Sequence, residues 1–394
     1  MYKLFLMICC CATLRAASQQ LITMDGYPPQ DTARVRWMLT KTRTKHQRPQ
    51  MPHPPYHYTI EDCTFTGKKT GLTYGATLTR PIGIKRFPTV VLISGTGSQD
   101  RDYTVSGHKF FWVLADYLSN HGIAVLRVDD RSTGKTTGIF NRSTTVDFAK
   151  DVLCAVEWLN TRKDIDPGRI GLIGHSEGGI VAPMVAAMAP EKISFLVMIG
   201  APVIGLHQIN YYQTRQAYTA IYKPDTVLFA MMRLHQEIMS KIPAQAHDLS
   251  EMNVVVKNAL DTFYKRESPG IVKRIIPDKN TYDRMFRSYQ SFLSPWWQFV
   301  LSYDPAQDIQ KVNCPVLVVY GNKDRQVPPA EDYALIKKLQ HRRSESILIP
   351  DMNHFMQPDT SGNPKNYEAI ETTIKPVLLE KISTWVLGQA QLGR

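Results

Sequence analysis

Residues 170–179 read Ile170-Gly171-Leu172-Ile173-Gly174-His175-Ser176-Glu177-Gly178-Gly179, and small and apolar residues continue from Ile180 to Ala189. An apolar run, a Gly-x-Ser-x-Gly turn and a second apolar stretch read as strand, tight turn and helix. A serine at such a turn is held in a strained backbone conformation, with its hydroxyl raised at the end of a sheet. Gly174 and Gly178 stand where a Cβ would collide with the turn. The pentapeptide alone is a weak signal. Its meaning depends on whether a base and an acid follow in matching places.

On either side the chain alternates strand and helix. Phe87 to Ile93 is a continuous apolar run, as expected of a strand covered on both faces. It ends in Ser94-Gly95-Thr96-Gly97-Ser98-Gln99-Asp100-Arg101-Asp102. A helix over Phe110–Ser119 places Phe110, Val113, Leu114, Tyr117 and Leu118 at helical spacing, and Gly122 suits its C-terminal cap. A strand over Ile123–Val128, a helix over Thr145–Thr161, a turn at Asp166-Pro167-Gly168 and a strand over Ile193–Ile199 follow. Such alternation implies right-handed βαβ crossovers, hence an α/β fold with a mostly parallel central sheet and helices on both faces. Upstream, Tyr58 to Phe65 and Leu72 to Leu78 read as antiparallel edge strands joined by a turn at Gly67 to Gly71. Residues 205–299 lack a strand pattern and carry helical ones, such as Thr226 to Ile242, so they read as a helical cap insertion. The α/β core would then comprise 58–204 and 300–394. The sheet resumes at Pro315–Gly321 and Ser346–Ile349, and a C-terminal helix is expected over Ala369–Val386.

A serine nucleophile needs a base, and the base needs an orienting acid. Asp324 follows the strand ending at Gly321, and His354 follows the strand ending at Ile349. Both would emerge at the carboxyl edge of the sheet, where Ser176 lies. Asp351, three residues before His354, competes with Asp324 for the acid role. His175 adjoins the serine, but its side chain is expected to point away across the turn.

With these residues the chain, from about Tyr58 to its C-terminus, resembles the α/β-hydrolase superfamily. Within it, the chain is similar to secreted bacterial carboxylesterases related to the dienelactone-hydrolase and prolyl-oligopeptidase-like groups. The resemblance rests on Ser94–Asp102, on Gly174-His175-Ser176-Glu177-Gly178-Gly179 and on Gly321-Asn322-Lys323-Asp324-Arg325-Gln326-Val327-Pro328. It implies Ser176 as nucleophile, His354 as base and Asp324 as acid. The chain departs from dienelactone hydrolases in carrying Ser for Cys, and from lipases with a His-Gly-Gly loop in carrying Ser94 for that histidine. One oxyanion donor is expected to be the Glu177 N–H at the start of the following helix; the other is Thr96 N–H in the Ser94–Gly97 loop.

These readings point to hydrolysis of carboxylic esters of small to medium substrates. An amidase or peptidase using the same residues, and a non-catalytic binding protein of this fold, remain alternatives. Ser294-Pro295-Trp296-Trp297-Gln298-Phe299 closes the insertion; Trp296 and Trp297 either line the acyl pocket or pack the cap onto the core.

Composition sets the remaining expectations. At 394 residues, with 43% hydrophobic and 21% charged residues, the chain is globular. Tyr2-Lys3, the apolar run Leu4 to Leu14 and Ala16-Ala17-Ser18 read as a signal peptide over 1–18, implying a secreted or periplasmic protein. Cys9, Cys10 and Cys11 follow Ile or Cys rather than a small residue, so no lipid anchor is expected. Cys63, Cys154 and Cys314 read as isolated thiols, and no Cys/His spacing suggests a metal. The net charge of +12 is concentrated partly in the basic, Pro-rich segment 19–57, where Arg34, Arg36, Lys41, Arg43, Lys45 and Arg48 read as a solvated leader and Pro49–Pro55 as a stiff linker. Nucleic-acid modules, integral membrane segments and organic cofactors are not indicated, and no oligomeric state follows. Gly134-Lys135-Thr136 resembles the end of a phosphate loop, but position 129 is Asp where such a loop needs Gly.

Overall fold

The structure, a computed structural model, describes residues 47–392 apart from 84–86, 220, 221, 223, 224 and 340–342. The expected signal peptide and most of the basic segment lie outside the described residues. An eight-stranded sheet has the spatial order β1-β2-β6-β3-β7-β8-β9-β10. Here β1 is Tyr58–Thr66, β2 Thr73–Pro81, β3 Thr89–Ile93, β6 Ala124–Val128, β7 Ile170–His175, β8 Phe195–Ile199, β9 Val316–Gly321 and β10 Ser344–Ile349. A two-residue hairpin supplies β4 (Thr104–Val105) and β5 (His108–Lys109). Within the eight-stranded sheet, among the described residues, only the β1–β2 and β2–β6 pairings are antiparallel. Every residue of the continuous apolar strands β3, β7, β8 and β9 is buried. Edge strand β1 instead alternates toward solvent, because one of its faces is wet.

Helices cover both faces. On one, α1 (Phe110–Asn120) packs with the C-terminal helix through Phe110, Leu114, Leu118, Leu378 and Ile382. On the other lie α2 (Thr145–Asn160) and α3 (Gly178–Met188), with Leu153, Val156, Val181 and Val185 buried against the strands. The start of α2 is fixed by a capping box of Thr144 and Asp147.

Between β8 and β9 the chain is helical: α4 (Leu206–Thr219), α5 (Thr226–Met239), α6 (Ile242–Gln245), α7 (Leu249–Arg266), α8 (Pro269–Ile275), α9 (Lys279–Gln290), α10 (Pro295–Ser302) and α11 (Ala306–Ile309). Asp225, Asp248, Asp278 and Ser294 each accept a hydrogen bond from the first turn of the helix they precede. The buried faces of α5 and α7 (Leu228, Met231, Leu234, Val256, Leu260 and Phe263) join the core on the α2–α3 side of the sheet. After β9, α12 (Pro329–Leu339) leads to β10.

Two expectations need correction. The C-terminal helix, α13, spans Pro376–Leu392 rather than starting at Ala369. Pro376 lacks the N–H that a helix interior requires and disfavours helical geometry in the residue before it, so it opens the helix instead. Arg48 is not a solvated side chain: its guanidinium donates to the carbonyls of Glu368 at 2.7 Å and Ile370 at 3.1 Å. Gln50 pairs with both the N–H and the C=O of Ile374, at 2.8 Å each. The segment before β1 is therefore laced to the chain leading into α13. Cys63, Cys154 and Cys314 are free thiols.

Candidate active site

The turn after β7 explains its own glycines. Ser176 has φ of 56°, the left-handed region that a side chain adopts only under constraint. A Cβ on Gly174 would strike the Gly178 carbonyl, and one on Gly178 would strike the Ile93 carbonyl at the end of β3. The constraint comes from these close approaches and from the Ser176 N–H, which donates to the Ile199 carbonyl at 2.9 Å. Ser176 is thereby presented at the carboxyl edge of the sheet.

His354, on the loop after β10, points Nδ1 at Asp324 Oδ2, 2.7 Å away, and both side chains are almost wholly buried. The second oxygen of Asp324 accepts from the N–H groups of Gln326 and Val327 at 2.8 and 2.9 Å. The carboxylate is thus saturated and its orientation fixed. Asp351 is exposed, and its carboxylate lies 4.0 Å from Lys323 Nζ. The imidazole's partner is Asp324. Ser176 and His354 line one cavity of about 270 Å³, although the Ser176 hydroxyl makes no hydrogen bond with the imidazole in this structure. Catalytic contacts of this type often form only with substrate bound.

Thr96 and Glu177 line the same cavity, and neither N–H meets an acceptor among the described residues. The loop carrying Thr96 is tied down from behind. Ser94 Oγ and Gln99 N–H both donate to Asp130 at 2.9 Å, and burial raises the pKa of that carboxyl to about 7. Arg101 makes a bidentate pair with Asp129, and Asp102 pairs with Arg127 and Lys109. The Ser94–Asp102 motif is therefore an anchored loop. The phosphate-loop lookalike belongs to the same network: Gly134 lets the backbone close over the Asp129 carboxylate, and the Lys135 N–H donates to it at 3.3 Å.

Two side chains carry more than the sequence reading gave them. His175 does point away from Ser176, but toward His354: its Nε2 donates to the His354 carbonyl at 2.8 Å. Burial lowers its pKa to about 3, so it is neutral. With the proton on Nε2, Nδ1 accepts from the Tyr103 hydroxyl at 3.0 Å. Glu177 buries its carboxyl between the starts of α2 and α10. Thr145 Oγ1 and Trp296 Nε1 both donate to its Oε1 at 2.7 Å, and burial pushes its pKa up while these donors and the Thr96 hydroxyl oppose the shift. The only sequence signal for either was a polar residue flanking the serine in an otherwise apolar stretch.

Trp296 and Trp297 both line the cavity, and both also pack. Their rings meet edge-on at 4.7 Å, and Trp297 lies 4.4 Å from Phe292. The two sequence alternatives thus coexist. Among the described residues no cluster of His, Cys, Asp and Glu could hold a metal ion, and no helix is long and apolar enough to cross a membrane.

A serine on a strand–helix elbow, beside a buried imidazole–carboxylate pair on this strand order, defines a serine hydrolase of the α/β-hydrolase fold. More narrowly, the chain belongs to the X-Pro dipeptidyl-peptidase (S15) family, whose model matches residues 54–356. It is 25% identical to Esterase EstD of Thermotoga maritima over 378 residues, which covers 95% of this chain and 77% of the relative. Among solved structures it is similar to the esterase PF2001 of Pyrococcus furiosus, with TM-score 0.50, 14% identity, and 85% of this chain and 90% of that one covered. It is also similar to the hypothetical protein PA2218 of Pseudomonas aeruginosa, with TM-score 0.51, 14% identity, and 93% of this chain and 100% of that one covered. These two likenesses bear on the fold.

Proposed function

We propose that the protein hydrolyses carboxylic esters of small to medium substrates through an acyl-enzyme. Ser176 attacks the ester carbonyl while His354 takes its proton; His354 then returns that proton to the leaving alcohol. Water hydrolyses the acyl-enzyme by the same exchange. Asp324 holds the imidazole tautomer with its proton on Nδ1 and stabilises the imidazolium. The N–H groups of Thr96 and Glu177 receive the negative charge on the tetrahedral oxygen, each donor lowering the barrier by about 3 kcal/mol.

The observation that favours an ester over an X-Pro dipeptide is the charge of the cavity. A dipeptidyl-peptidase must hold the ammonium of its substrate's N-terminus, which calls for a carboxylate. Among the described residues lining the cavity the one carboxyl group is Glu177, already engaged by Trp296, Thr145 and Thr96. EstD, a named esterase, supports the same reading. The N-terminal pattern of a basic start, an apolar run and small residues supports export from the cytoplasm with removal of a signal peptide, which the mass of the mature N-terminus tests.

The decisive experiment sets 4-nitrophenyl acetate and butyrate beside an Ala-Pro-4-nitroanilide, with wild type, Ser176→Ala and His354→Ala. Ester turnover that both substitutions abolish is the expected result. Turnover of the anilide in preference to the esters, or activity surviving in Ser176→Ala, would overturn the proposal.

A further inference from the structure

Arg325 and Lys365 enter the cavity wall from two different loops, one after β9 and one beyond His354. The loops are packed on each other. Gly362, at φ of 65°, lies against the Lys323 carbonyl, and a Cβ there would come within 3.3 Å of Arg325 Cγ. The loop that carries Arg325 is anchored on either side of it, since Asp324 holds His354 and the Gln326 carbonyl accepts from Gln213 of α4 at 3.1 Å. Neither cation forms an ion pair among the described residues. The acids nearby are committed or apart: Asp324 to the imidazole and two backbone N–H groups, Glu177 to the cap, and Glu331 of α12 without an ion pair to Arg325.

Both side chains are exposed at the cavity wall, where their combined positive field attracts an anion and salt screens it over about 10 Å at 0.1 M. Ile180, Leu206, Ile209, Trp297 and Val300 give the cavity an apolar part, beside polar groups such as Asn210 and Gln216. Resting on the esterase reading above, the geometry points to a substrate class: an ester bearing a carboxylate or other anionic group, which Arg325 and Lys365 hold while its apolar part fills the cavity. His354 protonates the departing alcohol and sits beside the Arg325 loop, so the alcohol portion is where the charge belongs.

The test compares charged and neutral isosteres within each enzyme, so that any general loss of activity cancels. 3-Acetoxybenzoate against 3-acetoxybenzamide places the charge on the alcohol portion; phenyl hydrogen adipate against phenyl adipamate places it on the acyl portion. Wild type is expected to favour 3-acetoxybenzoate by about tenfold in kcat/KM, the ratio shrinking as salt rises. In Arg325→Gln/Lys365→Gln the ratio should fall to about one, and in Arg325→Glu/Lys365→Glu below one. A preference confined to the adipate pair would retain the anion site and overturn its assignment to the alcohol. A wild-type ratio of one or less in both pairs, or a ratio unchanged in the double variants, would overturn the inference. Failure to cleave either neutral ester would instead refute the esterase reading itself.

Discussion

Trp296→Phe isolates the contact that joins the helical segment to the nucleophile turn. It keeps an aromatic ring against Trp297 but removes the indole N–H that donates to Glu177 Oε1 at 2.7 Å. A hydrogen bond to a charged group contributes about 1.5–3 kcal/mol, one between neutral groups about 0.5–1.5. The loss should therefore depend on whether Glu177 is ionised. Burial raises its pKa above the ordinary 4.5. For a carboxyl raised in the folded state, stability is fully present below the unfolded pKa and declines as pH rises toward the folded one. Removing a donor to the ionised form raises the folded pKa further and extends that decline. The excess between the two hydrogen-bond ranges, about 1–1.5 kcal/mol, sets the size of that further loss. Urea unfolding followed by far-ultraviolet circular dichroism should show Trp296→Phe about 1 kcal/mol more destabilised, relative to wild type, at a pH above the titration of Glu177 than at one below it. The ring's lost contacts cost the same at both pH values and cancel. In a Glu177→Gln background the pH dependence should vanish. An equal gap between the two proteins at both pH values would refute the reasoning.

Asp324→Asn should lower kcat about 10⁴-fold, roughly 5.4 kcal/mol of barrier, because the amide favours the wrong imidazole tautomer. Asp351→Asn, at an exposed position with φ of 46° that asparagine tolerates, should stay within about twofold in the same ester assay. His175→Phe leaves the His354 carbonyl without its donor and should lower kcat more than it raises KM. Because His175 is already neutral, with a pKa of about 3, it should contribute no limb to the pH–rate profile. Trp296→Ala enlarges the cavity and should shift kcat/KM from short toward longer acyl esters, each added methylene being worth about 1–3 kcal/mol of discrimination; an unchanged chain-length profile would assign the ring to packing alone.

The sequence by itself determined what local pattern can carry. Unbroken apolar runs marked β3, β7, β8 and β9 as strands covered on both faces, and the glycines around Ser176 marked the turn. The position of Asp324 and His354 after successive strands put them at one sheet edge, because parallel strands all end on the same side. The onset of α13 was legible too, in Pro376, but apolar spacing on both sides of it masked the stop. Other features came only with the tertiary structure, since they join residues far apart along the chain. His175 reaches the His354 carbonyl across 179 positions, and Trp296 reaches Glu177 across 119. The choice of Asp324 over Asp351 is a matter of which carboxylate the packed loops aim at Nδ1, not of proximity in sequence. The pairing of Arg325 with Lys365 depends on Gly362 letting two loops close on each other. No periodicity encodes such contacts: each is fixed by how burial and backbone hydrogen bonding bring whole elements together, and a side chain's partner is settled only then.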